Sequence, residues 1–422
     1  MTTARDSTWK KRPTMPARND ALKLRNVDLF DPTPQGRTDL YLFDGKILSI
    51  GEEPVIPGVE FREIDGTGMF AVPGFIDSHL HFTGAGSIGA GPISREPDFS
   101  FSEVVGSGIT TAVGCPGADY LSRSMTNLFQ KARSLEAEGL STYFWSSGYS
   151  NPSITLSQSL SMDMLLFEKA LGAKIAISDF MAPPWTPDQL HHLVWQVLSG
   201  AQMAGKHGVI HVHAGVLPAG ISVVREVVAR YEFGDDAHWS AMHGGGGSVA
   251  SHFQITHVNW TDRLLEEATQ FALQGAVADV TSGLSPKHGC EGSVLPSAAV
   301  VQMLRAGVSP ASITVSSDSG GNIAHQHGNS DLDLIRLRPP MILEVFQELA
   351  RRDDVDIETA ARVTSTSVAD LHRWSHKGRL TPGADADVLL FSEIDADLAH
   401  VVLAGEHVID HGHLLRLGVM ER

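Results

Sequence analysis

The sequence predicts an α/β fold: a (β/α)8 barrel of the TIM type with a small β-sandwich domain built from both ends of the chain. Three observations lead there. Eight strand-like segments alternate with helical patterns over about 250 residues, the length of one barrel domain. Short alternating segments joined by hairpin turn pairs occupy both ends. Several of the eight central segments finish in polar, chemistry-bearing residues, which a barrel collects on one face.

Taken in order, residues 1–20 carry Lys10, Lys11 and Arg12 with no apolar run behind them. They read as a loose tail and not as a signal peptide. Residues 21–72 hold Leu22-Lys23-Leu24-Arg25, then Leu40–Phe43 and Lys46–Ile50 around the turn pair Asp44-Gly45. Residues 73–377 are the expected barrel. Its strand candidates, the first of which starts a little ahead of that boundary, are Phe70–Phe82, Thr110–Cys115, Ser141–Gly148, Ala173–Asp179, Val209–Gly215, His252–Asn259, Gly275–Ser282 and Ile313–Gly320. Helical patterns lie between them at Ser122–Glu138, Pro187–Lys206, Ala219–Tyr231, Thr261–Leu273 and Ser293–Ala306. Residues 378–422 return to the small domain, with Asp387–Phe391 as one strand and His400–Ala404 and His407–Ile409 flanking Gly405-Glu406. A doubly wound sheet is the rival, but no glycine-rich dinucleotide turn sits between a strand and a helix.

Composition narrows the function. A formal charge of −17 without a long basic run argues against nucleic acid or anionic lipid as partners. Only Cys115 and Cys290 occur, which excludes a disulfide scaffold and suits a reducing, cytoplasmic setting. No stretch approaches the ~20 consecutive apolar residues of a membrane span. The chain has 20 histidines, an excess that hints at metal or acid–base chemistry.

The strand ends give that hint positions. The first ends Asp77-Ser78-His79-Leu80-His81. Side chains alternate along a strand, so His79 and His81 share a side and form a pair of candidate metal ligands. The fourth strand carries Lys174, the fifth ends at His213, the sixth at His257 and the eighth at Asp318. Any one of these alone is an ordinary polar strand end; together they would converge on one point. His211 shares a face with His213 but lies deeper, where it would fill the barrel. Lys174 stands among apolar residues and is costly to bury charged. It is either ion-paired or converted by CO2 to a carbamate that bridges two cations; the residues alone leave both open.

The stretch Val72-Pro73-Gly74-Phe75-Ile76-Asp77-Ser78-His79-Leu80-His81 resembles the first-strand motif of the amidohydrolase superfamily. From about Leu22 to Leu415 the chain resembles the isoaspartyl dipeptidase family in particular. The matching stretches are Ser147-Gly148-Tyr149, Lys174–Asp179, Thr256-His257-Val258-Asn259 and Ser316-Ser317-Asp318, with Leu380–Asp387 as the return into the β domain. The resemblance implies two divalent ions, most often zinc. His79, His81 and Asp318 would hold one and His213 and His257 the other, with carboxylated Lys174 and a hydroxide bridging them. It also implies hydroxide attack on an amide carbonyl. Asp318 would move the proton to the leaving amine, and Tyr149 would hydrogen-bond the developing oxyanion.

The substrate-reading positions depart from that family. The loop Thr83–Gly91 lacks the family's glutamate for a substrate ammonium. Two arginines that hold substrate carboxylates are Met181 and Trp260 here, a threonine is Ala118, and a serine is Asn322. Charged readers have become neutral or apolar. The expected substrate is therefore a more apolar or modified amide than a simple isoaspartyl dipeptide. A true isoaspartyl dipeptidase would need a relocated arginine, with Arg225, Arg230 and Arg263 as candidates. A reading of another class is a non-catalytic oligomeric scaffold; against it stands the complete ligand set. The segment 231–252, with Trp239 and a glycine run, is longer than in the family and is either a lid or a surface insertion. The family's habit of assembly implies a homo-oligomer.

Overall fold

A computed structural model describes residues 21–86, 88–231, 248–327 and 331–421. The expected tail, 1–20, and residues 232–247 of the insertion lie outside the described residues.

The barrel strands are β1 (Phe75–Leu80), β2 (Ile109–Gly114), β3 (Ser141–Ser147), β4 (Ala170–Ile177), β5 (Val209–Ala214), β6 (Phe253–Thr256), β7 (Val277–Thr281) and β8 (Ile313–Ser316). They pair in chain order, each parallel to the next. Beyond the end of β8, Asp318 N donates to His79 O at 2.9 Å and His81 N donates to Ser319 O at 2.8 Å, which nearly closes the ring. Helices between the strands start where the sequence supplies caps. Thr186 caps Pro187–Met203 in a capping box with Gln189, and Thr261 caps Asp262–Ala272.

Period two sorts the barrel residues. Ile210, Val212, Ile255, Val280 and Val315 belong to one large apolar core. The alternating residues His211, Gln254, Asp279 and Thr314 form a hydrogen-bonded polar interior. The single candidate strand Phe70–Phe82 is divided in the structure: Met69–Pro73 belongs to the small sheet and β1 to the barrel. The break is at Gly74, where a Cβ would stand 2.2 Å from the Thr110 side chain. Only glycine allows that close passage.

The small domain is one nine-stranded sheet. The amino-terminal part supplies Leu22–Asp31, Thr33–Phe43, Lys46–Ile50, Arg62–Asp65 and Met69–Pro73. The carboxy-terminal part supplies Val388–Ser392, Leu398–Leu403, Glu406–Asp410 and His413–Leu414. The halves join where Met69–Pro73 pairs antiparallel with Val388–Ser392. Asp44 (φ 50°) and Gly45 (φ 75°) make the expected hairpin turn, since both central residues of the favoured turn need positive φ. Stacked Phe70 and Phe391, at 5.4 Å between ring centres, meet Phe346 and through it Phe75 of β1. That aromatic cluster couples the sheet to the barrel.

A buried ion triad makes the second coupling. Lys377 Nζ lies 2.6 Å from Asp387 Oδ2, 2.9 Å from Asp385 Oδ2 and 2.6 Å from Ser141 Oγ of β3. Replacing Lys377 with Met leaves the buried Asp387 carboxylate without its cation, while Asp385 keeps Lys46 at 2.6 Å. Chemical denaturation should show a loss of about 3–5 kcal/mol, the usual effect of removing one partner of a buried pair. An unchanged denaturation midpoint would mean that water already satisfies Asp387.

Candidate functional site

The C-terminal ends of the barrel strands carry four left-handed residues that are not glycine: Ser147 (φ 68°), Ser178 (φ 52°), His257 (φ 69°) and Asp318 (φ 52°). Such a conformation is unfavourable for a residue with a Cβ and clusters at working sites. It turns the chain off each strand, and two of the four, His257 and Asp318, stand in the cluster at the barrel mouth.

Six of the expected residues meet there. His79 Nε2 lies 3.2 Å from Asp318 Oδ1, and His81 Nε2 lies 3.0 Å from the same oxygen. Lys174 Nζ is 2.7 Å from His79 Nε2. The His257 ring centre is 5.1 Å from that of His79 and 4.4 Å from that of His213. One ligand atom each of His79, His257 and Asp318 lies within 4.8 Å of the others, as do those of His79, His81 and Cys115.

The hydrogen-bond chemistry shows what the cluster can hold. Asp279 Oδ1 accepts from Thr314 Oγ1 at 2.6 Å, so that hydroxyl accepts from Gln254 Nε2 at 2.9 Å. Gln254 therefore presents its carbonyl to His211, whose Nδ1–H donates at 2.8 Å. Neutral His211 then accepts at Nε2 from His79 Nδ1–H at 3.0 Å. This relay leaves His79 Nε2 with its lone pair aimed at the site. His81 Nδ1–H donates to Cys115 O at 3.1 Å, so its Nε2 also presents a lone pair. Two lone pairs thus face one carboxylate oxygen, an arrangement that repels unless a proton or a cation lies between. The separations of 3.0 and 3.2 Å are near the ~3.3 Å edge of a tetrahedron with metal–ligand bonds of about 2.0–2.1 Å. His257 Nδ1 bonds Thr281 Oγ1 at 2.7 Å, while its Nε2 is buried without a partner. The donor set fits divalent metal.

Lys174 is fully buried. Its polar contacts are His79 Nε2 and, at 3.3 Å, Cys115 Sγ, so no carboxylate neutralises it among the described residues. A bare ammonium there is costly, and loss of its charge removes the cost. With a proton in place of a cation between His81 and Asp318, the imidazole is raised to about 9, against burial, by Cys115 and Asp318. Asp318 is held at about 2, against burial, chiefly by that His81 hydrogen bond. It is a carboxylate at neutral pH.

His213 is in the cluster but engaged. Its Nε2 lies 2.7 Å from Asp179 Oδ2, and Tyr149 Oη is 2.8 Å from its Nδ1. To ligate a metal it must give up one of these partners. Burial, followed by the nearby Asp179 and Asp318 charges, holds the Tyr149 phenol well above its usual range and keeps it protonated.

Ala118, Met181, Trp260 and Asn322 line one cavity together with His81, Tyr149, His213 and Asp318. Among the described residues no lysine or arginine lines it. Arg230 is paired with Asp188 and Glu226, and Arg263 with Glu267. Asn322 Nδ2 donates to Ser94 O at 2.6 Å, which leaves Asn322 Oδ1 buried and unpartnered.

Sequence reasoning missed three contributors. Cys115 lies between His81 and Lys174, and its place directly after β2 was the available signal. Asp179, two residues past β4, had the same signal. Gln254 had none, because its role arises from contacts with β1, β5 and β8. His211 fills the barrel as expected and also orients His79.

Residues 70–408 match the model of the amidohydrolase family. The chain resembles the solved structure of a β-aspartyl dipeptidase from Fervidobacterium islandicum AW-1 in complex with a β-Asp-Leu dipeptide. The TM-score is 0.81 at 28% identity, over 94% of this chain and 100% of that one. The L-hydantoinase of Arthrobacter aurescens shares the fold, with a TM-score of 0.61 at 16% identity over 95% and 98% of the two chains. Among curated sequences, the imidazolonepropionase of Caldanaerobacter subterraneus is 30% identical over 160 residues, 36% of this chain. The chain spans only 37% of that relative's length. Among the described residues no helix is long and apolar enough to cross a membrane.

Proposed function

The chain belongs to the amidohydrolase family of hydrolytic enzymes, and from that premise we propose that it cleaves an amide bond with two divalent ions, zinc in our assignment. The observation that carries this reading is the approach of His79 Nε2 and His81 Nε2 to one Asp318 oxygen beside a buried Lys174 that no carboxylate neutralises among the described residues. In this reading His79, His81 and Asp318 would hold one ion, His213 and His257 the other, and a carbamate on Lys174 would supply anionic oxygen to both. When bound, such ions acidify water to hydroxide near neutral pH and polarise a carbonyl.

The remaining steps belong to the chain. Asp318, ionised and at the mouth, accepts the proton of the attacking water and returns it to the leaving amine. Tyr149, kept protonated, donates to the oxygen on which negative charge develops. Asn322 Oδ1 is a spare acceptor for a substrate N–H.

The substrate follows from the cavity wall. Met181 and Trp260 offer a thioether and an indole, and neither can replace a bidentate guanidinium on a carboxylate. We assign a neutral or aromatic substituent beside the scissile amide. The second reading, a true isoaspartyl dipeptidase, is favoured by the likeness to the Fervidobacterium enzyme. The two separate when an isoaspartyl dipeptide with free α-carboxylates is compared with amidated, esterified or truncated analogues. The neutral analogues should be favoured by about ten- to a hundredfold in kcat/KM, the effect of about 1–3 kcal/mol for desolvating an unpaired carboxylate. Met181→Arg with Trp260→Arg should shift preference back toward the acid. Turnover of the free dipeptide at about 10 per second or more would overturn the pocket argument.

A further inference from the structure

Beside the barrel mouth lies a groove that the catalytic residues do not use. Tyr149, just past β3, and Met181, just past β4, line the inner cavity. Two residues further along the same two loops, Asn151 and Pro183 line the outer groove. Two residues span at most about 7 Å, so the groove begins within reach of a substrate held at the mouth. Asn151 Nδ2 reaches Pro184 O at 3.4 Å and Gln189 Oε1 at 3.3 Å and joins the two loops in one wall. The volumes differ tenfold: the inner cavity offers about 60 Å3 and the groove about 660 Å3. A site that encloses a small molecule whole takes about 300–1,000 Å3. The inner cavity therefore holds the reacting group and little else, and the rest of a larger substrate has to lie outside it.

The lining of the groove selects what can lie there. In a chain that is 19% charged, no aspartate, glutamate, lysine or arginine lines it among the described residues. A charged ligand group would enter without a partner. The lining carries carboxamides and hydroxyls instead, and the side chains of Ser153 and Gln158 make no hydrogen bond among the described residues. A carboxamide offers donor and acceptor together, which matches the donor and acceptor of a peptide group. Leu160 and Leu193, both buried, add apolar contact, and Trp185 stands half-buried against the core. Pro183 and Pro184 fix the backbone of the wall, so little freedom is lost when a ligand settles on it.

We propose that this groove holds the distal part of the substrate, an extended and uncharged peptide-like chain whose scissile amide enters the barrel mouth. The inference rests on the amide-hydrolase reading of the mouth and adds a substrate class to it. Peptide groups of the chain would pair with Ser153 and Gln158, and its uncharged side chains would rest on Trp185 and the two prolines. Met181 and Trp260 at the mouth are uncharged as well, so the inner and outer parts select for the same neutral chain.

The test uses the full zinc-loaded chain and N-acetylated, C-amidated alanine peptides of two to four residues. Calorimetry in the Asp318→Asn background, where chemistry is slowed, gives Kd, and mass spectrometry on the parent gives cleavage. Each added residue should tighten Kd about two- to tenfold, the effect of one hydrogen bond. Aspartate or lysine at the distal position should cancel that gain. Ser153→Trp, which fills the groove, should erase the dependence on length, and Gln158→Ala, at an exposed residue, should weaken it. Each variant is read as its own ratio of long to short peptide, so a change in overall affinity does not enter. A Kd independent of length, equal binding of charged chains, or a gain that survives Ser153→Trp overturns the groove. So does a change of oligomeric state in Ser153→Trp on size-exclusion chromatography, since the face would then join two copies. Length-dependent binding without cleavage leaves the groove standing and counts against the hydrolase reading. Cleavage that ignores length does the reverse.

Discussion

Lys174→Ala should abolish turnover and lower the metal content of the barrel mouth. The expectation rests on position and charge. Lys174 is fully buried, 2.7 Å from His79 Nε2, and among the described residues no carboxylate pairs with it. As a plain ammonium it would repel cations at His79 and His81; as a carbamate it would supply anionic oxygen to them. Removing it would take away a shared ligand, and the metal count per chain by elemental analysis should fall. Short carboxylic acids should restore part of the rate by supplying the missing oxygens. Lys174→Met serves as the folding control, because it keeps the volume and removes a costly buried charge. It should be stable and equally inactive. Full activity in Lys174→Ala would sink the carbamate assignment.

Asp318→Asn should slow the chemical step at least about a hundredfold, the usual share of a general acid–base group. The substitution isolates chemistry from shape. Asparagine keeps the size and one oxygen, and it tolerates the left-handed backbone that Asp318 adopts at φ 52°. It loses the carboxylate that His81 and its neighbours hold ionised. The amide cannot take up the proton of the attacking water. Single-turnover rates, with metal content measured on the same samples, separate proton transfer from loss of an ion. A change of only a few-fold with both ions in place would place the proton on another group.

How far the site could be read in advance depended on the distance over which each property is set. His79 and His81 were legible because period two is a local rule of strand geometry. His213, His257 and Asp318 were legible because strand order in a barrel places strand ends on one face. The part of His211 in orienting His79 was not, since it depends on Gln254 from the next strand and Thr314 from the eighth. Cys115 and Asp179 stand at strand ends as well, yet their roles depend on which side chain they meet across the mouth. For Cys115 the partner is His81, 34 residues earlier. The engagement of His213 by Asp179 and Tyr149 is of the same kind.

By itself the sequence determined the alternation of strands and helices, the joining of the two chain ends in one small β domain and the ligand-type residues at the strand ends. These are properties of residue type and of spacing along a few residues, and apolar periodicity imposes them before any long-range contact forms. The tertiary structure alone decided where Phe70–Phe82 divides, because that division depends on Gly74 passing Thr110. It alone decided which nitrogen of each histidine faces the mouth, since a tautomer is chosen by the partner of the other nitrogen. And it alone joined the loops after β3 and β4 in one wall, because Asn151 meets Gln189 across 38 residues of chain.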